Sequence, residues 1–190
     1  LMIEVSRGCW WRVKKPCTFC GLNGQVQEYR QKSTSKLVQE IIFQAEKYGL
    51  HNFTFSDSIL SMEHLNESPP LLQALPQKYT FFTEIKSNIT EAQLKGLNQA
   101  GFIFLQPGIE SLQDDTLQLM NKGNRAIKHV ELLKNLRKYG NQVAWNLLVG
   151  FPGEKYVWYE EVLALLPKIT HLPAPSALIH IKYHRHNEYH

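Results

Sequence analysis

The sequence predicts an α/β fold built on parallel strands, and three observations carry that reading. Six apolar, β-rich segments recur along the 190 residues, helical patterns separate them, and the only three cysteines directly follow the first segment. Parallel pairing follows because each crossover must carry the chain back over the sheet before the next strand begins. With fewer strands than a closed eight-stranded barrel, the sheet is expected to be open or partly closed. Its active site would lie at the carboxyl ends of the strands, where the cysteines fall.

The strands are expected at 2–6, 52–56, 79–85, 102–106, 143–149 and 177–183. After the cap candidates Ser33-Thr34-Ser35, the helical spacing of Leu37, Ile41, Ala45 and Tyr48 predicts a helix that Gly49 stops. Pro69 and Pro70 interrupt the pattern of 60–76, so only a short helix is expected there. Thr90-Glu91-Ala92-Gln93 reads as a capping box, with Leu94 and Leu97 inward and Gly101 closing the helix. Ile127, Val130, Leu133 and Leu136 mark a helix ended by Gly140, and Tyr159, Val162, Leu163 and Leu166 mark the last, ended by Pro167.

The length fits a single domain spanning 1–190, and 43% hydrophobic with 20% charged residues is ordinary for a soluble globular protein. No apolar run approaches membrane-span length, which points to the cytoplasm and away from a membrane partner. The formal charge of +4 favours anionic ligands or an acidic peptide. Lys and Arg are spread along the chain, which fits a solvated surface better than a nucleic-acid footprint. The chain enters a strand almost at Leu1, which leads to the expectation that upstream sequence lies outside it.

Cys9, Cys17 and Cys20 give the spacing C-x7-C-x2-C. Four thiolates would close a structural zinc site or a four-cysteine cluster, whereas three leave one coordination position for a non-protein ligand. One alternative is a zinc-binding interaction module that completes the set with a histidine. Inert buried thiols are a plainer reading, and an odd count without a secretory signal argues against a disulfide.

Other strand ends supply polar groups. The second ends in Ser56-Asp57-Ser58, and the third carries Glu84 and Lys86 on one face, with Thr83 and Ile85 on the other. An interior Glu and Lys are costly unless paired or engaged by ligand, and a structural salt bridge at the rim would also account for them. The fourth strand runs into Gln106-Pro107-Gly108-Ile109-Glu110-Ser111 and the fifth into Gly150-Phe151-Pro152-Gly153-Glu154. Each glycine permits close ligand approach, although either segment alone reads equally as a βα turn with a capping acid. The histidines suggest no chelate: His180 and His184 share a strand face but stand about 13 Å apart at roughly 3.3 Å per residue.

Together these segments resemble the radical S-adenosylmethionine (SAM) superfamily, and most closely the cobalamin-dependent maturases of ribosomally made peptides. The resemblance rests on Ser6-Arg7-Gly8-Cys9-Trp10-Trp11, on Cys17-Thr18-Phe19-Cys20-Gly21-Leu22-Asn23-Gly24 and on Thr83-Glu84-Ile85-Lys86-Ser87-Asn88. It extends through Gln106–Ser111 and Trp145–Glu154 and so covers most of the chain. The wide spacing before Cys17 departs from the superfamily's usual C-x3-C-x2-C and matches its peptide-maturase branch. The ending Tyr183–His190 departs from the Arg-Phe-Ser-Pro-Tyr-like segment of that branch.

The resemblance implies a partial parallel (β/α)6 barrel, the radical SAM core. It implies a [4Fe-4S] cluster on Cys9, Cys17 and Cys20, with SAM chelating the fourth iron. It also implies that Phe19 packs near the adenine, Ser56 and Asp57 near the methionine amino group, and Glu84 and Lys86 near its polar end. Glu110, beside Ser111, would lie near the ribose, while Gly108 and Gly150 leave room. The implied partners are a precursor peptide and an electron donor such as a ferredoxin or flavodoxin. The implied reaction is peptide modification, with C-methylation where cobalamin is supplied by an upstream domain missing from this chain.

Overall fold

The computed structural model describes residues 1–22 and 28–189. Asn23 and Gly24 of the cysteine segment, and the final His190, lie outside the described residues. Strands β1 (Met2–Ile3), β4 (Asn52–Phe55), β5 (Thr80–Lys86), β6 (Phe104–Gly108) and β7 (Gln142–Val143) form one sheet in the order β1-β4-β5-β6-β7. Every pairing in it is parallel. A second parallel pair, β8 (Asn146–Val149) with β9 (Ala177–His180), is joined to this sheet by an isolated parallel bridge between Glu110 and Leu147. A short antiparallel pair, β2 (Ser6–Arg7) with β3 (Arg30–Gln31), flanks the cysteine segment.

The predicted α/β fold with a parallel sheet therefore holds, with two of the six expected strands broken. The first stops at Ile3 because the next backbone donors turn to a side chain: Val5 N–H donates to Asp57 Oδ2 at 2.9 Å and Ser6 N–H donates to Asp57 Oδ1. The fifth divides at Ala144-Trp145, where the indole is buried and its Nε1–H donates to the Pro173 carbonyl at 3.0 Å. There the backbone changes partner: Ala144 N–H still donates to the Leu105 carbonyl at 3.1 Å, and the Trp145 carbonyl accepts from Ser176 N–H at 2.6 Å, ahead of the β8–β9 pair.

Helices α2 (Thr34–Tyr48), α3 (Met62–Gln73), α4 (Glu91–Gln99), α6 (Ala126–Lys138) and α7 (Tyr156–Leu165) are the crossovers, with two short helices, α1 (Trp10–Lys14) and α5 (Asp114–Leu119), that periodicity did not indicate. Ser33 caps α2, Gly49 closes it, and both halves of the Thr90–Gln93 capping box form. Helix α3 runs straight through Pro69 and Pro70. The buried Pro69 packs toward Gly96 of α4, so tertiary contact offsets the two missing N–H donors. In α7 none of the residues is buried and Leu163, expected inward, is 64% exposed.

The main core lies between the sheet and α2, α4 and α6. Leu37, Ile41, Leu94, Leu97 and Leu136 close over Phe53, Phe55, Phe81 and Phe102, and the Phe81 and Phe102 rings stack at 4.7 Å. Helix α6 also buries His129, whose Nδ1–H donates to the Ser111 carbonyl at 2.9 Å while Nε2 accepts from Ser87 Oγ at 2.8 Å. Burial pushes this imidazole down to about 4, with the Ser111 carbonyl opposing and the Lys122 and Lys86 charges adding. The unfolded chain takes up a proton near pH 6.5 and the folded one does not, so this contribution is complete above pH 6.5 and fades as pH falls toward 4. In His129→Gln the stability difference from the wild type should shrink over that window by up to about 3 kcal/mol. Urea unfolding of both proteins from pH 7 to 4 measures it; carboxylates titrating in the same window cancel in the difference.

Candidate active site

Three separate pieces of local structure bring the cysteines to one cleft. Gly8 turns the chain out of β2, Cys9 stands at the start of α1, and Cys17 and Cys20 flank a turn in which Cys20 N–H donates to the Cys17 carbonyl at 3.2 Å. Thr18, inside that turn, is pinned to the end of α5: its N–H donates to the Met120 carbonyl at 3.2 Å and its Oγ1 to the Leu119 carbonyl at 3.0 Å. All three thiols are free and half-buried. Burial pushes the Cys17 and Cys20 thiols up; at Cys17 the Lys122 and Lys86 charges pull the other way.

The same cleft is lined by Phe19, Glu84, Lys86, Gly108 and Glu110. Its cavity volume is about 160 Å3, and it opens to solvent. Two carboxylates and two ammonium groups meet at its wall. Lys122 Nζ lies 3.0 Å from Glu110 Oε1, with only 8% and 19% of the two side chains exposed. Burial works against the Lys122 charge, yet Glu110 and the cysteine thiolates favour it more, and the lysine is held above its ordinary range. Glu84 is pushed up to about 7 by burial, then by the Glu110 charge, with Lys122 opposing. Near neutrality it can therefore either donate or accept a proton.

Lys86, which lines the cleft, also meets two protein groups. Its Nζ donates to the Lys122 carbonyl at 2.5 Å and lies 3.7 Å from the centroid of the Trp11 ring. Burial, and next the Lys122 charge, lower it to about 8, while Cys17, Cys9 and Glu110 act to raise it.

Four of the expected residues line other places. Ser56 is exposed, its Oγ donating to the Ile3 carbonyl at 3.4 Å. Asp57 is buried with both carboxylate oxygens accepting from the Val5 and Ser6 backbone, so it clamps the chain ahead of the cysteines. Ser111 is buried and its Oγ accepts from Gln113 N–H at 3.2 Å. At Gly150 a side chain would meet His180 Nδ1 at 2.8 Å, so the glycine makes room for β9. Conversely, Lys122 lines the cleft and was not named from sequence, while Trp11, Ser58, Trp145 and Asn146, which also line it, were named only within longer segments and given no role. Asn121-Lys122-Gly123 carries a turn signal in its glycine, but nothing in the spacing shows that its lysine folds back onto Glu110.

A model of the radical SAM superfamily matches residues 3–166. The chain belongs to that superfamily. Over 201 aligned residues it is 28% identical to bacteriochlorophyllide d C-8(2)-methyltransferase of Chlorobaculum tepidum, covering 99% of this chain and 43% of that one. Its fold superposes on the radical SAM methyltransferase TsrM of Kitasatospora setae with a TM-score of 0.77 at 17% identity, covering 99% of this chain and 37% of that one. It superposes on SuiB of Streptococcus suis with a TM-score of 0.65 at 15% identity, covering 99% and 42%. The chain spans less than half the length of these three proteins.

Membership implies a [4Fe-4S] cluster and SAM, and the donor set fits. Among the described residues no three His, Cys, Asp or Glu side chains stand close enough to share one metal ion, which the zinc alternative requires. A cubane asks for less, since each thiolate binds a different iron, and three cysteines around one cleft with cations at its wall meet that requirement. Among the described residues no helix is long and apolar enough to cross a membrane.

Proposed function

We propose that this chain is the cluster- and SAM-binding core of a radical SAM methyltransferase, and that its substrate is a ribosomally made peptide. The single observation that carries methyl transfer is the 28% identity to a methyltransferase running along 99% of the chain. The peptide rests on the maturase-like segments around Cys9, Cys17 and Glu84. A bound cluster would supply the single electron that reductive cleavage of a carbon–sulfur bond of SAM requires. The chain's own residues hold and shield that ligand. Cys9, Cys17 and Cys20 are the thiolate donors, Phe19 offers an apolar face, Glu84 and Glu110 offer hydrogen-bond acceptors, and Gly108 keeps the wall open. Trp145 and Asn146 close the side toward β8.

Cobalamin would come from a further domain, electrons from a ferredoxin or flavodoxin, and the setting is the reducing cytoplasm. The test is product analysis after anaerobic reconstitution with iron, sulfide, SAM, a strong reductant, methylcobalamin and the candidate precursor peptide. Methylated peptide with both 5′-deoxyadenosine and S-adenosylhomocysteine is expected of the whole protein. 5′-Deoxyadenosine with a crosslinked, unmethylated peptide would overturn methyl transfer, and turnover on non-peptide substrates alone would overturn the peptide.

A further inference from the structure

The seven-residue spacer between Cys9 and Cys17 is built around two tryptophans. Helix α1 has five residues, none buried, and no side-chain cap, so it is too short to persist on its own. Trp10 Nε1–H donates to the Leu60 carbonyl at 3.2 Å, and Trp11 Nε1–H donates to the Asn121 carbonyl, also at 3.2 Å. Leu60 follows β4 and Asn121 follows α5, so the two indoles reach two different loops at the carboxyl side of the sheet. The rings meet edge to face, 6.1 Å apart.

The Trp11 ring has two further neighbours. A side-chain carbon at Gly123 would lie 2.4 Å from its Cζ2, and Gly123 has φ +67°, so both the space and the backbone there require glycine. The Lys86 ammonium lies 3.7 Å from the ring centroid, the geometry of a cation–π contact, while donating to the Lys122 carbonyl. Lys86 is also near enough to Cys17 and Cys9 for their charges to act on one another.

We propose that Trp10 and Trp11 brace the cluster loop: they seat α1 so that Cys9 and Cys17 face one cluster across the long spacer. Trp11 also holds the Lys86 ammonium beside the thiolates. Trp11 and Lys86 are positioning residues for the cluster. The proposal rests on the cluster and is independent of which group is transferred.

Two measurements test it. In the metal-free chain, Arg12 and Lys14 are tryptic sites within α1, and Trp11→Ala should raise cleavage there about tenfold with unchanged far-UV circular dichroism, because local opening governs access. In the loaded protein, both Trp11→Ala and Lys86→Met should move the cluster's reduction potential to more negative values, because a fixed positive charge favours the reduced form. Trp11→Phe keeps a ring face for Lys86 and loses the indole N–H; it should cleave faster than wild type yet keep the wild-type potential. If Trp11→Ala fails to fold, Trp11→Phe carries the tryptic test. A wild-type cleavage rate in these variants overturns the brace, and a wild-type potential in Lys86→Met overturns the charge placement. If no cluster forms in the wild-type chain, the cluster reading fails, while the tryptic comparison still decides the brace.

Discussion

Cys9→Ala is expected to leave the protein folded and unable to hold a stable cluster, with SAM cleavage lost. The chain has only three cysteines, so no other thiol can take the vacated iron. Replacing even an outer-shell partner of a metal ligand typically costs 10–100-fold in metal affinity or activity, so removing a ligand should cost roughly a hundredfold or more. Stability of the metal-free chain should hardly change. Cys9 is half-buried, its side chain makes no capping hydrogen bond to α1, and it keeps its Cβ in the variant; such substitutions usually stay within about 1 kcal/mol. Iron and sulfide content after reconstitution, beside thermal unfolding of the metal-free protein, measures both halves. A full cluster in Cys9→Ala would mean that the wide spacer does not bring Cys9 to the same site as Cys17 and Cys20.

The sequence made that site legible because its strongest signals are local. Cysteine spacing and the Thr90–Gln93 cap involve residues within a few positions of one another, and helical spacing located α2, α4 and α6. What it could not show are partners brought together by the fold. Lys122 pairs with Glu110 across a helix and a turn, and Trp11 reaches Asn121 over 110 positions. Asp57 illustrates the same limit from the other side. The sequence places an acid at that strand end but does not show that the Val5 and Ser6 backbone donors reach it. Periodicity also failed where packing is weak, as at Leu163 of the little-buried α7.

Gly108→Val should damage the cleft, and the structure relocates the reason. Open space for a ligand is one role of this glycine, but a side-chain carbon there would first lie 2.9 Å from Lys122 Nζ and 3.3 Å from Glu110 Oε1. Alanine should be tolerated, because the end of a lysine can shift by a few tenths of an ångström. Valine adds two methyl groups against the pair and should separate it. Breaking a buried pair by removing one partner costs about 3–5 kcal/mol; both charges remain here and can relax toward the cleft mouth, so a loss nearer 2 kcal/mol is expected. SAM affinity should fall while iron content is retained, since neither residue binds the cluster. A double-mutant cycle separates the two roles. In a Lys122→Met background the valine has no ion pair to break, and its stability cost should drop to a small fraction of that in the wild type. An equal cost in both backgrounds would return Gly108 to the simpler role of leaving room for the ligand.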